Sequence, residues 1–340
     1  MTRALLIAGH EIMPGEKCQL DIPVARLYTD TELSIPVHVE RALRRGPTIF
    51  VSAAVHGDEL NGIEIIRRLI DSDLQLIRGT LILVPMVNVY GVLNQSRYLP
   101  DRRDLNRSFP GSAKGSLAAR LAHNFMHNIV QHCDYGIDLH TGAIHRSNLP
   151  QIRADLSDDE TRMLAEAFGV PVLLNANLRD GSLREAATEN DTRILLYEAG
   201  EALRFDELSI QAGLKGVKNV LRALGLLRKR RSSKRRIEPF VANRSDWIRA
   251  AGSGFVHEYV KLGEQVEKGQ ALADINSPLG ELIQKVVSTR SGIVIGKQNI
   301  PLVQEGDAMF HIAYFGKDED DVAEHIGLMH ESVITNLTGG

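Results

Sequence analysis

A nearly continuous apolar run, TIFVSAAV at positions 48–55, most constrains what this chain can fold into. A run of this length without polar alternation is typical of a strand that is covered on both faces, as in a largely parallel sheet. Apolar residues at helical spacing follow it between positions 59 and 70. The two patterns together predict a strand leading into a helix, which is the repeating unit of an α/β fold.

The same alternation of strand and helix patterns continues to about residue 227. The predicted elements are lead-in strands at 19–27 and 33–39, strands at 80–87, 135–139, 170–174 and 193–197, and helices at 117–130, 158–168 and 206–227. Because alternating elements of this kind place helices against a sheet, we predict an α/β fold with a mixed sheet flanked by helices.

The pattern changes at residue 228, where RKRRSSKRR carries seven basic residues in nine. This stretch could bind nucleic acid or an anionic surface, but the rest of the chain offers no basic and aromatic surface to extend it. A solvated linker after a helix C-terminus is therefore the favoured interpretation. Short apolar runs separated by glycines follow and predict a compact all-β region. The predicted organisation is a main domain at 1–227 with a β-rich lead-in at 1–45, a basic linker at 228–244, a small β domain at 245–315 and a tail at 316–340.

Charge and cysteine content exclude several classes of protein. The 40 Lys and Arg residues nearly balance the 43 Asp and Glu residues, for a net charge of −3, so neither nucleic acid nor a membrane surface is an expected partner. The two cysteines, Cys18 and Cys133, are too few and too far apart for a disulfide scaffold, and they suit a reducing compartment. With no targeting segment visible and no apolar run near the ~20 residues of a membrane span, we expect a cytoplasmic protein.

Two predicted strands end in residues that can bind a metal ion. HGDE at 56–59 follows the first buried strand, and DLHTG at 138–142 ends another. Strand ends of an α/β sheet are where active sites lie, and His56, Glu59 and His140, called here the metal group, supply the ligand types that zinc prefers. Two histidines and one glutamate with an open fourth position are typical of catalytic zinc.

Charged residues elsewhere complete the candidate site. Arg97, Arg103, Asn106 and Arg107 lie in or near a loop between the two metal-binding motifs. Guanidinium groups bind carboxylates with two hydrogen bonds and stabilise oxyanions, so this loop suits a substrate with a free carboxylate. Glu198 ends a buried strand, where a carboxylate is costly without a partner or a function, and it is the candidate to move a proton between water and a leaving amine.

These motifs resemble a known protein family. HGDE at 56–59, DLNRSFPG at 104–111, DLHTG at 138–142 and the strand-end Glu198 are similar to motifs of the succinylglutamate desuccinylase/aspartoacylase family, which is related to the zinc carboxypeptidases. The resemblance covers roughly residues 45–225. It implies a carboxypeptidase-like fold whose main domain is a zinc-hydrolase catalytic domain, with one Zn²⁺ per chain held by the metal group.

The resemblance also implies roles for the charged residues. Asn106 and Arg107 would hold the substrate carboxylate, and Glu198 would be the general base. An arginine that polarises the scissile carbonyl is also implied. Arg97 matches its position best, but the interval to the DLNR motif is long, so Arg103 remains an alternative.

The C-terminal β region resembles a barrel-sandwich of the lipoyl/biotinyl type. Carrier domains of that shape present a lysine at a tight hairpin, whereas the corresponding stretch at 275–280, INSPLG, contains none. Lipoylation or biotinylation is therefore not expected. The region is expected to shape the substrate pocket, together with loops at 143–156 and 175–192, or to form an oligomer contact.

The sequence thus predicts a zinc-dependent amidohydrolase that removes an acyl group from a small N-acyl amino acid or a related compound. The alternatives are a zinc carboxypeptidase acting on small peptides and a catalytically silent binding protein on the same fold. The expected partner is a small molecule with a carboxylate. The sequence does not identify the acyl group or the amino acid. The oligomeric state is also left open, and a homo-oligomer is one possibility.

Overall fold

The computed structural model describes residues 4–229 and 239–314. Most of the predicted basic linker and the whole of the predicted tail at 316–340 lie outside the described residues. The division of the chain into separate domains therefore stays a prediction.

Residues 4–229 hold six α-helices and ten strands. The strands are β1 Leu5–Ile7, β2 His10–Ile12, β3 Lys17–Arg26, β4 Glu32–Arg41, β5 Thr48–Ala53, β6 Thr80–Val84, β7 Tyr135–Gly142, β8 Arg146–Ala154, β9 Val172–Asn175 and β10 Arg193–Glu201. The helices are α1 Asn61–Asp71, α2 Val89–Leu93, α3 Leu117–Asn128, α4 Asp159–Phe168, α5 Leu183–Glu189 and α6 Glu207–Ala223.

The regular structure among the described residues after 239 consists of strands. These strands are β11 Phe240–Ala242, β12 Arg244–Arg249, β13 Gly254–Glu258, β14 Gln265–Val266, β15 Ala271–Asn276, β16 Leu282–Val287, β17 Gly292–Gln298, β18 Leu302–Val303 and β19 Ala308–Tyr314.

A 13-stranded mixed sheet runs through the molecule in the order β12-β19-β17-β8-β10-β7-β5-β6-β4-β3, with β9, β11 and β14 attached beside this path. Strands β6, β5, β7 and β10 are parallel neighbours. The predicted α/β fold with a mixed sheet is therefore confirmed.

The apolar run at 48–55 is covered on both faces, as its sequence predicts. Ile49, Val51 and Ala53 of β5 belong to a buried cluster that includes side chains of α1, α4 and α6. Phe50, on the opposite face, packs in a second cluster with α3, α5 and the lead-in strands, and its ring lies edge-on to Phe125 at 5.8 Å. A strand buried on both faces needs no polar alternation, which explains why the run is continuous.

Two segments expected to be loops contain regular structure. The expected loop at 143–156 is mostly strand β8, and the expected loop at 175–192 contains helix α5. The sequence of β8, RSNLPQIRA, begins with three polar residues and includes Pro150. Proline usually argues against a central strand because it has no N–H to donate. Here it lies where β8 changes its neighbour, from β17 through Arg146–Asn148 to β9 through Gln151–Ala154.

The C-terminal region is all β, as predicted, and the structure pairs its strands antiparallel. Strands β16-β15-β13-β18 form a separate four-stranded sheet, and an apolar cluster packs it against β12, β14, β17 and β19. Strand β17 also pairs with β8, so main-chain hydrogen bonds join this region to the central sheet. The hairpin expected at 275–280 is the turn between β15 and β16.

Within residues 4–229 and 239–314, no helix has both the length and the apolarity that crossing a lipid bilayer requires.

Candidate metal centre and active site

The candidate site lies where three parallel strands end. His56 follows β5, His140 lies near the end of β7, and Glu198 lies near the end of β10. Because β5, β7 and β10 are parallel neighbours, their carboxyl ends share one edge of the sheet. This edge is the usual place for an active site in an α/β fold.

The glycine of the HGDE motif allows a second loop to approach the site. A Cβ atom on Gly57 would lie 1.9 Å from the carbonyl carbon of Gly91, and one on Gly91 would lie 2.6 Å from Asn88 Nδ2. Neither position can hold a side chain without moving backbone. The close packing of these two glycines places the segment that carries Arg97 beside His56.

The structure brings the three members of the metal group together. His56 Nδ1 lies 2.7 Å from Glu59 Oε1, and His140 Nδ1 lies 2.7 Å from Glu59 Oε2. One ligand atom from each residue falls within 4.8 Å of the other two. All three side chains are buried, with no more than 4% of any residue exposed. The Nδ1 atoms and the carboxylate therefore converge on one point.

A further carboxylate holds the other ring nitrogen of each histidine. His56 Nε2 lies 3.2 Å from Asp104 Oδ1, and His140 Nε2 lies 2.6 Å from Asp138 Oδ2. Ser52 in turn donates its hydroxyl hydrogen to Asp138 Oδ1 at 2.7 Å. Carboxylates in this position are typical of metal-binding histidines, because they fix the ring orientation and make the coordinating nitrogen more basic.

Electrostatics at the site favour positive charge at its centre. Burial alone would raise the pKa of the Glu59 carboxyl, but His56 and His140 outweigh burial and hold that pKa far below its usual range. Burial likewise opposes charge on His140, yet Asp138 and Glu59 raise the pKa of its imidazole well above the ordinary value.

The surrounding charges fit a divalent cation. Four carboxylates, those of Asp58, Glu59, Asp104 and Asp138, surround the two imidazoles. The guanidinium group of Arg97 pairs with two of them, Glu59 and Asp104. Asp58 is buried, and its Oδ1 has no hydrogen-bond partner among the described residues. Burial and Glu59 raise the pKa of Asp58. A divalent cation can replace the imidazole protons that otherwise offset this negative charge.

The two candidate arginines for the carbonyl group differ in position. Arg97 Nη1 lies 3.3 Å from His56 Nδ1 and 3.4 Å from Glu59 Oε1, and its Nη2 donates to Asp104 Oδ2 at 3.1 Å. The Arg103 side chain is 63% exposed and forms a 3.9 Å ion pair with Asp101. The structure thus brings Arg97, and not Arg103, into contact with the metal group.

Asn106 and Arg107, which were predicted to bind the substrate carboxylate, differ in exposure. Asn106 is buried, and its Oδ1 accepts the backbone N–H of Leu183, which begins α5. Arg107 is exposed and donates to the carbonyl oxygen of Asn106. Asn106 thereby couples this loop to α5, and Arg107 stays available at the surface.

Glu198 lies beside His140 on the neighbouring strand, where the two residues are paired in register. Paired residues of adjacent strands lie about 4.8 Å apart and point to the same face. The Oε2 atom of Glu198 accepts hydrogen bonds from three side chains of β8: Asn148 at 3.2 Å, Gln151 at 3.3 Å and Arg153 at 2.9 Å. The polar residues of β8, which are unusual for a central strand, are therefore the ones that form hydrogen bonds with Glu198.

Sequence analysis missed Arg184, in the first turn of α5. Only 8% of this residue is exposed; its Nη2 donates to the Asn177 carbonyl oxygen, while Nη1 has no partner among the described residues. Burial, reinforced by the positive charge of Arg153, lowers the pKa of Arg184 to about 10. The sequence marks the start of the helix but not the burial of Arg184: Ser182 caps α5 by accepting the N–H of Glu185, the Ser-x-x-Glu pattern of a capping box.

Comparison with known proteins identifies the family of the chain. The family model for the succinylglutamate desuccinylase/aspartoacylase catalytic domain matches residues 45–224. The chain belongs to this family. The resemblance noted from the sequence motifs is thereby confirmed.

Individual relatives include a deacetylase. The chain is 28% identical over 293 residues to an N-alpha-acetyl-L-2,4-diaminobutyric acid deacetylase from Halomonas elongata, covering 82% of this chain and 85% of the relative. A succinylglutamate desuccinylase/aspartoacylase from Rhodobacter sphaeroides has a similar structure, with 25% identity, a TM-score of 0.76 and coverage of 88% and 96% of the two chains. The product-bound ectoine utilization protein EutE (DoeB) from Ruegeria pomeroyi shares the fold at 24% identity and a TM-score of 0.76, covering 88% of this chain and 97% of that one.

Replacing Asp138 by Asn tests whether the outer carboxylates support metal binding. Asn keeps the size of the side chain but removes the charge that faces His140 Nε2. We expect zinc affinity, measured by competition with a chromogenic chelator, to fall by about 10–100-fold. Asp134→Asn is the matched control, because Asp134 precedes the same strand at its opposite end and accepts the N–H of Thr48. Equal zinc affinity in the Asp138 variant and the wild-type protein would contradict the assigned role.

Proposed function

We propose that the protein is a zinc-dependent amidohydrolase that cleaves the amide bond of a small N-acyl amino acid or a related compound. The observation that carries this proposal is the position of Glu198 beside a buried His-Glu-His group at one edge of the sheet. Family membership and the relative named as a deacetylase support a deacylase over a peptidase or a silent binding protein.

His56, Glu59 and His140 are the proposed zinc ligands. The ion, when bound, supplies Lewis acidity, which favours ionisation of water and polarises a carbonyl group. Asp104 and Asp138 keep the two imidazoles oriented toward the ion.

Glu198 is the proposed general base and acid. Its Oε2 is held by three donors, so the carboxylate cannot rotate freely, and Oε1 is the oxygen left for a reacting water. Glu198 takes a proton from the attacking water and then gives it to the nitrogen of the departing amine. The water oxygen becomes part of the released carboxylic acid, and the amine leaves neutral.

Arg97 is the proposed donor to the carbonyl oxygen of the scissile amide. Its guanidinium group already lies at the metal group, and Asp104 fixes one of its nitrogens. A fixed cation of this kind stabilises the negative charge that develops on the carbonyl oxygen as water attacks.

Two arginines, Arg107 and Arg184, are proposed to recognise the substrate carboxylate. Arg107, together with Asn106, is the pair implied by the family motif. Arg184 is an additional candidate, because its buried Nη1 lacks a partner among the described residues and a carboxylate oxygen would satisfy it. Acetylated amino acids are the first substrates to assay, since the Halomonas elongata relative is named for one.

A cytoplasmic location remains part of the proposal. Cys18 and Cys133 are both free thiols, as suits a reducing compartment.

Exchanging Glu198 for Gln tests the proton-transfer role. The amide keeps the shape of the side chain but cannot accept the proton, so we expect kcat for deacetylation to fall by about 10²–10⁴-fold or more, with zinc content unchanged. Glu201→Gln on the same strand is the control; Glu201 instead accepts hydrogen bonds from the His145 N–H and the Asn299 amide. Wild-type rates in the Glu198 variant would refute this role.

Comparing Arg97→Met with Arg103→Met separates the two candidate arginines. We expect the Arg97 variant to lose about 10²–10³-fold in kcat, as enzymes do when an oxyanion donor is removed. The Arg103 variant should keep nearly wild-type kcat, since its exposed side chain pairs only with Asp101 within the described residues. The reverse order of effects, measured by steady-state kinetics on one N-acetyl amino acid, would assign the role to Arg103.

A further inference from the structure

The central sheet forks at β8. The first residues of β8 pair with β17, which continues through β19 to β12, and its last residues pair with β9, which continues to β11. The two branches enclose a cleft of about 380 Å³. The charged residues that line the cleft are Arg153, Arg244, Asp246 and Arg290.

Positive charge dominates this cleft, since three guanidinium groups face a single carboxylate, that of Asp246. Arg244 and Arg290 form no ion pair with any residue in the described part of the chain. Tyr314 supports both of them: the Arg290 guanidinium lies 5.3 Å from the centroid of its ring, and Arg244 is its partner in register on β12.

Arg153 connects the cleft to the candidate active site. Its Nε donates to Glu198 Oε2 at 2.9 Å, and the same side chain lines the cleft. Among the described residues no hydrogen bond engages its two terminal nitrogens. Guanidinium groups with free donors bind carboxylate and phosphate oxygens strongly, because each hydrogen bond is assisted by charge.

We propose that the cleft at the sheet fork binds an anionic group, a carboxylate or a phosphate, through Arg244, Arg290 and the terminal nitrogens of Arg153. The anion is either a second charged group of the substrate or a free anion that acts on Glu198 through Arg153. This site is separate from the metal group, and its existence does not depend on the deacylase assignment.

Inorganic phosphate is the probe that tests the site. We expect isothermal titration calorimetry at constant ionic strength to detect phosphate binding by the wild-type protein, and affinity to fall about tenfold for each arginine removed in Arg244→Ala and Arg290→Ala. Arg249→Ala is the matched control, because Arg249 lies on the same strand but donates to the carbonyl oxygen of Gly306. No phosphate binding by the wild-type protein, or wild-type affinity in both cleft variants, overturns the proposal.

If an alanine variant misfolds, Arg244→Gln and Arg290→Gln replace it in the phosphate titration. Thermal unfolding then checks that each variant is folded. Kinetics then distinguish the two sources of the anion. If the anion belongs to the substrate, the cleft variants raise KM for N-succinyl but not for N-acetyl amino acids. If it is a free anion, phosphate alters kcat/KM for both substrates, and the cleft variants abolish that effect. Because calorimetry needs no turnover, a failed deacylase assignment leaves the binding result interpretable.

Discussion

The carboxylate of Glu59, buried between two imidazoles, is the interaction on which the rest of the site depends. Burying an isolated charge costs several kcal/mol even after the protein relaxes, so such a group persists only with close partners of opposite charge. His56 and His140 are those partners, each 2.7 Å away. The two histidines are distant in sequence, and only the pairing of β5 with β7 brings them together.

This requirement explains the local structure around the site. Strands β5 and β7, which lead to His56 and carry His140, are buried along almost their whole length. The contact between Gly57 and Gly91 brings Arg97 to the same point, and Asp104 joins that arginine to His56. The backbone N–H of Leu183 donates to Asn106 Oδ1, and this hydrogen bond joins α5 to the loop that contains Asp104 and Asn106. Polar contacts therefore hold both the loop of Asp104 and helix α5 at the site.

Sequence reasoning succeeded where a local pattern carries the information. The apolar run at 48–55 predicted a doubly covered strand, and the HGDE and DLHTG motifs at strand ends predicted residues that the fold does bring together. It failed for β8, because the polar residues of that strand are justified only by contacts with Glu198 on another strand, and because Pro150 argues against a central position. Arg184 was missed for a related reason: its significance comes from burial, which the sequence of a short helix does not reveal. The pairing of β17 with β8 is also a long-range contact, and no local signal marks it.

Zinc binding by the purified protein tests the central claim most directly. Elemental analysis of the wild-type chain after dialysis should find one zinc ion per chain, and X-ray absorption at the zinc edge should show a first shell of two imidazole nitrogens with carboxylate and solvent oxygen. The Glu59→Gln and His140→Ala variants should lose most of that zinc while remaining folded by circular dichroism. A wild-type protein without zinc after reconstitution, or variants that bind it as tightly as the wild type, would contradict the claim that these three side chains form one metal site.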